Sequence, residues 1–370
     1  MKSVMKAALL AALILLVASP PASSASIKID GPQDTFVKLG FLMQGRAEVE
    51  DTADADDQYE NIYFRRLRIL ASGKISDRLS FFMETDSPNL GKYDPATDSK
   101  IQGDMFIQDF FVTYTWRPEI KLDAGMILLP VSRNSETSAA KLLPLDYGAY
   151  SFVASAPSGS RVGRDYGAQL RGHLFDEKLE YRAGIYQGDR DLGGDTEGAG
   201  SSFRYVARLV YYFAGTETGF FYTGTSLGRK EIFSLGFSMD AQEEYRSYAG
   251  DLYIDKPLES GDAVTFQLNY IYYDGDDTYP AIEAQNDWLV EACYYNDRTK
   301  LGPFMQLAFQ DFADEEIQDE DRYQAGIAWY PDKYNLNLKA AYTVIFRPHT
   351  QAAQKTYRDN YSLQLQVLYF

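Results

Sequence analysis

The chain of 370 residues has a single cysteine, Cys293, which excludes an intramolecular disulfide framework, and no spacing of ligand residues in it resembles a zinc site. Histidine is almost missing as well, with two in all. Past the N-terminus no run of roughly 18 apolar residues occurs, so no segment reads as a transmembrane helix. Positive charge is in deficit: 36 Lys and Arg stand against 53 Asp and Glu, a formal net charge of -17, which argues against a nucleic-acid partner. There is no phosphate-cradling glycine loop, no HExxH pair and no Walker pattern; Gly193, Gly194, Gly198 and Gly200 read as a flexible outer loop. No cofactor or metal is called for.

What the chain does have is alternation. Tyr361 to Phe370 switches between apolar and polar side chains almost without error, the period of a strand with one apolar and one wet face. The pattern recurs in sixteen segments, from Thr35–Val49, Asn61–Lys74 and Leu79–Ser87 through to Asn335–Arg347 and Arg358–Phe370. Hydrophobic content is 45%, yet these residues are spread singly rather than massed, and 29 Tyr with 22 Phe are expected to ring a barrel as aromatic girdles. The N-terminus reads as a signal peptide spanning 1–25: Lys2 and Lys6, then apolar Ala7–Ala18, then small residues up to a cut after Ala25. The remainder, 26–370, is expected to be one exported barrel domain in a bacterial outer membrane, with charge -19 once the two leader lysines are subtracted from -17.

Connections alternate in kind. Short turns fall at Ser76–Arg78, Arg117–Glu119, Asp176–Lys178, Glu259–Asp262 and Asp332–Tyr334; long polar loops fall between them, the asymmetry of an all-β transmembrane antiparallel barrel of about sixteen strands. Ala214–Glu231 breaks the rule, being long where a turn belongs, and is expected either to extend below the barrel or to hide another strand. The alternation also assigns faces. Leu67, Ile69, Phe110, Trp116, Tyr166, Leu170, Tyr205 and Leu209 go to lipid, and Asp109, Gln169 and His173 go inside. An arginine facing lipid at the midplane costs about 2–4 kcal/mol, so the phase that turns Arg66, Arg68, Arg171, Arg182, Arg204 and Arg208 to the lumen is physically constrained.

Those six arginines form one wall, and Arg133, Lys141, Arg161 and Arg164 lie in or beside the longest connection, the 34 residues Pro130–Gly163. That loop carries Leu142, Leu143, Leu145, Tyr147, Tyr150 and Phe152, apolar groups that gain nothing at a surface. It is expected to fold into the barrel and narrow the pore. Rings of arginine or lysine attract anions. Glu84, Asp86, Asp109, Asp165, Glu180, Asp251, Asp255 and Glu291 fall on inward phases too, so the arginines either pair with these carboxylates or meet solute directly. Outer loops are acidic (Asp51, Asp54, Asp56, Asp57; Asp314, Glu315, Glu316), which fits plain solvation or divalent-cation bridging to lipid and lipopolysaccharide headgroups.

Gly224-Thr225-Ser226-Leu227-Gly228 matches the hydrolase pattern GxSxG, but its flanks read as strand and turn and no helix follows, so no enzyme is expected. Phe64-Arg65-Arg66-Leu67-Arg68, Asp109-Phe110-Phe111-Val112, Gly163-Arg164-Asp165-Tyr166-Gly167 and Leu179-Glu180-Tyr181-Arg182-Ala183-Gly184 resemble the phosphate-selective porins O and P, and the likeness covers essentially the mature chain. The resemblance implies a trimer of sixteen-stranded barrels, a third loop narrowing the pore, and basic residues guiding anions such as phosphate. A diffusion channel for small hydrophilic solutes with an anion bias is the reading that results. A general or cation-preferring porin, or a barrel serving adhesion or binding, stays open.

Overall fold

The computed structural model describes residues 26–51, 58–95, 97–155, 161–189, 202–347 and 357–370. The expected signal peptide, the acidic tip of the first loop around Asp54–Asp57 and the glycines Gly193–Gly200 lie outside the described residues.

Sixteen antiparallel strands close into a barrel: β1 Phe36–Asp51, β2 Gln58–Lys74, β3 Leu79–Asp86, β4 Phe106–Arg117, β5 Ile120–Leu128, β6 Arg164–Leu174, β7 Leu179–Tyr186, β8 Arg204–Ala214, β9 Ile232–Gln242, β10 Tyr245–Pro257, β11 Ala263–Asp274, β12 Gln285–Tyr295, β13 Leu301–Phe312, β14 Glu320–Asp332, β15 Leu336–Phe346 and β16 Tyr357–Tyr369. Each strand pairs with its sequence neighbour, and the seam is β16 on β1, from Tyr369 opposite Phe41 to Asn360 opposite Glu50. Closure leaves no free edge, the condition for a sheet to cross lipid. A short strand, Ile27–Asp30, pairs with β1 from Leu39 down to Phe36, covering the stretch of β1 that lies past the end of β16.

The face assignments follow the pleat. Phe110, Trp116, Tyr166, Leu170, Tyr205 and Leu209 are exposed on the outer surface, and Asp109, Gln169, His173, Arg204 and Arg208 are buried inside. A bulge interrupts β2: Gln44 faces Arg66 while Gly45 faces Phe64, so Arg65 is the extra residue. Below it Arg66 and Arg68 point inward, and above it the inward phase passes to Tyr63 and Asn61.

Not all aromatics are girdle. Tyr186, Tyr212, Tyr245 and Tyr253 are buried inward, their rings filling lumen volume and their hydroxyls reaching Gln169, Glu180, Asp240 and Asp255 respectively. Tyrosine suits that position because its apolar body packs and its polar tip finds a carboxylate or an amide oxygen.

Residues 215–231 neither extend below the barrel nor add a strand. They turn back into the lumen, where Tyr222 forms a parallel bridge with Thr137 and Gly224 donates its N–H to the Lys141 carbonyl. The physical reason is apolar content: Tyr222 and Leu227 are buried, Leu227 against Leu143 and Leu145. The connection between β9 and β10 is tight, with Glu243 in the left-handed region at φ 48°.

Candidate pore constriction

The segment after β5 folds into the barrel and is fastened at many points. Ser132 caps a four-residue helix, Arg133–Glu136, accepting from the Ser135 N–H while Ser135 Oγ accepts from the Ser132 N–H. The amide of Asn134 donates to Glu291 at 3.2 Å, and its carbonyl oxygen accepts from Gly148 N and Ser151 Oγ. Lys339 on β15 donates its ammonium to the Leu142 and Pro144 carbonyls at 2.6 and 2.8 Å. Gln366 on β16 donates to Ala140 at 2.9 Å. Leu143 and Leu145 pack with Cys293, Phe304, Tyr330 and Tyr334 on β12–β14 and the turn after β14, so the loop lies against that side of the barrel.

Most of the basic residues singled out in the sequence are inside and held by carboxylates. Arg66 donates to Gln44 and to Asp146 of the third loop. Arg68 bridges Glu84 at 2.7 Å and Asp86 at 2.8 Å. Arg164 lies 3.0 Å from Asp109 and 3.6 Å from Glu84. Arg171 pairs with Asp123 at 2.6 Å, and Arg204 donates through Nε to Asp240 at 2.7 Å. Arg208 pairs with Asp251 at 2.6 Å and sits 3.1 Å from Glu136, which also accepts from Arg182. Arg133 is buried, 2.7 Å from Glu217 and 3.3 Å over the Tyr253 ring. Glu136 and Glu217 thus tie the third loop to β7, β8 and the inserted segment 215–231. Arg161 stands apart: it is exposed, 4.3 Å over Phe106, in a hollow of the outer surface beside Tyr166.

Space remains on the other side. A cavity of about 370 Å³ lies between the third loop and the wall of β1, β2, β3 and β6, lined by Lys38, Arg68, Glu84, Lys141, Tyr147 and Arg164. The one acidic side chain in its lining, Glu84, is already engaged by Arg68 and Arg164. Lys141 and Lys38 are half-buried and make no ion pair among the described residues. They add positive charge to the wall of this cavity.

Several functional groups escaped the sequence reading. Lys339, Asp146, Glu136 and Glu217 gave no local signal, since each acts through a partner tens of residues away. Lys38 could have been found: it stands on the lumen phase of β1, in step with Leu42, Gln44 and Arg46.

A closed sixteen-stranded barrel with a loop folded into its lumen defines an outer-membrane porin. The chain belongs to the phosphate-selective porin O and P family, whose model matches residues 37–252. Solved structures share the fold. An anion-selective porin from Comamonas acidovorans is 11% identical with TM-score 0.60, covering 90% of this chain and 99% of that one. OmpF of Salmonella typhi, in complex with daunomycin, is 14% identical with TM-score 0.59, covering 92% and 100%. OmpT of Vibrio cholerae, in its trimer form, is 11% identical with TM-score 0.51, covering 90% and 99%. A comparison with curated proteins finds no match.

Proposed function

We propose that this porin is an anion-biased diffusion channel for small hydrophilic solutes, inorganic phosphate among the candidates, working by electrodiffusion through the basic cavity beside the third loop. One observation carries the reading: among the described residues Lys38 and Lys141 line the cavity with no ion-pair partner, whereas Glu84, the one acidic side chain in its lining, is engaged by two arginines. Low-dielectric walls focus such a field and raise the local concentration of anions. Arg68 and Arg164 shape the wall, and Arg66, Arg133, Arg171, Arg182, Arg204 and Arg208, being held by carboxylates, act chiefly as struts.

The chain performs no covalent chemistry in this reading. Ser226, the serine of the GxSxG match, exchanges hydrogen bonds with the Lys230 backbone at 3.1 Å and has a structural task. Export by cleavage after Ala25, contact with lipid and lipopolysaccharide, and assembly as a homotrimer belong to the same proposal; the OmpT neighbour is described in a trimer form.

The test is the reversal potential of the purified protein in a planar bilayer under a potassium chloride gradient, with and without Lys38→Gln and Lys141→Gln together. Chloride preference in the parent that collapses in the double variant is expected. Cation preference in the parent would overturn the reading. The two lysines are a cleaner choice than Arg204 or Arg208, whose loss would strand a buried Asp240 or Asp251.

A further inference from the structure

The interior of a porin barrel is ordinarily polar, yet one side of this lumen carries a continuous strip of phenyl rings. Phe82 on β3 and Phe111 on β4 stand on lumen-facing positions, Phe220 and Phe221 come from the inserted segment, and Phe370 follows directly on β16. Phe111 and Phe220 stack with centroids 4.4 Å apart, Phe220 meets Phe221 at 4.8 Å, Phe221 meets Phe82 at 5.4 Å, and Phe82 meets Phe370 at 6.3 Å. Packing alone accounts for Phe111, which is buried. Phe82, Phe220 and Phe370 also pack on one side against buried neighbours, yet all three, with Phe221, stay half-buried and line the cavity, so part of each ring is left for something else to cover.

Those rings do nothing for a small inorganic anion. The face of a phenyl ring is the negative end of its quadrupole, so chloride or phosphate gains nothing there. The same strip suits a flat apolar body, which can lie offset or edge-on against it. Cations stand within reach: Lys38 holds its ammonium 4.5 Å over the Phe370 ring, and Lys141 lines the same cavity. A volume of about 370 Å³ falls within the range of small-molecule pockets.

We propose that this cavity is a transient binding site for aromatic carboxylates, with the ring of the solute on the phenyl strip and its carboxylate at Lys38 and Lys141, so that the channel favours them over other anions of equal charge. The inference rests on the reading of this cavity as the conducting passage. It adds a solute class that charge alone would not select.

The probes are sodium benzoate and sodium acetate, which carry the same charge and differ in the ring. Each is titrated against the potassium chloride current of the parent channel, alongside the reversal potential. Benzoate is expected to block at concentrations ~10-fold lower than acetate, about the factor that one well-formed aromatic pair supplies. Phe221→Ala should bring that ratio toward one; because benzoate and acetate are compared in the same channel, a change in channel number or folding yield does not enter the ratio. Chloride preference with benzoate and acetate equivalent would overturn this inference and leave the anion-channel reading standing. Benzoate selectivity without chloride preference would keep the inference and sink the basic-passage account. Absence of both overturns both.

Discussion

At the scale of single residues, one carboxylate in the third loop carries an unusual share of the electrostatics. Asp146 lies 2.6 Å from Arg46, 2.9 Å from Arg65 and 3.1 Å from Arg66, so three guanidiniums from β1 and β2 share one counter-ion. The bulge in β2 makes this possible by bringing the adjacent Arg65 and Arg66 to the same carboxylate. Asp146 is partly open to water, which screens the pairs. Asp146→Asn keeps the shape and removes the charge, while Lys339 still holds the loop at Leu142 and Pro144. With three guanidiniums left without a carboxylate, the chloride-to-potassium permeability ratio should rise by a factor of a few, the effect of one uncompensated charge in a focused field. Reversal-potential measurements on the variant decide it, and an unchanged or lower ratio would refute the argument.

At the scale of elements, the inserted segment 215–231 and the third loop behave as one body inside the barrel. Arg133 is their rivet: it meets Glu217 at 2.7 Å, donates to the Thr223 carbonyl at 3.0 Å and lies on Tyr253. Arg133→Met leaves Glu217 buried without its partner, which costs about 3–5 kcal/mol. The barrel hydrogen bonds are untouched, so the expected result is a folded barrel with the segment displaced and a larger single-channel conductance. A conductance equal to that of the parent would show that the segment is held by its other contacts. Strands, turns and the inward folding of the third loop were legible because a period of two and a misplaced apolar run are local signals. The destination of 215–231 was not, because its hydrophobic residues show that it must bury something without saying against what. Which carboxylate meets which arginine was equally hidden: the alternation puts Arg208 and Asp251 inside, and only the register across β9 brings them to 2.6 Å. Arg161 illustrates the converse, since only two residues of chain separate it from buried Arg164 and yet it faces the outer surface.

At the scale of the whole molecule, the outer surface is not uniformly greasy. Most of it presents large side chains, but across the seam of the barrel the outward positions of β1, β14 and β15 include Ala47, Ala325 and Ala340. The result is a groove of about 660 Å³, overhung by Tyr93 and Lys100 from the loop after β3. A depression of small residues lets a neighbouring surface approach closely, and interfaces between copies within a membrane are made by such packing rather than by hydrophobicity, which lipid already satisfies. A second barrel seated there would give the isologous or ring-closing contact that a homo-oligomer requires. Ala340→Trp fills the groove from its floor without touching the lumen, where the neighbouring inward residues Lys339 and Ala341 keep their places. In mild detergent the parent should sediment as a trimer and Ala340→Trp as a monomer, with each monomer keeping the reversal potential of the parent because the cavity proposed to conduct is lined by one chain alone. A monomeric parent, or a variant that stays trimeric, would move the contact elsewhere on the barrel.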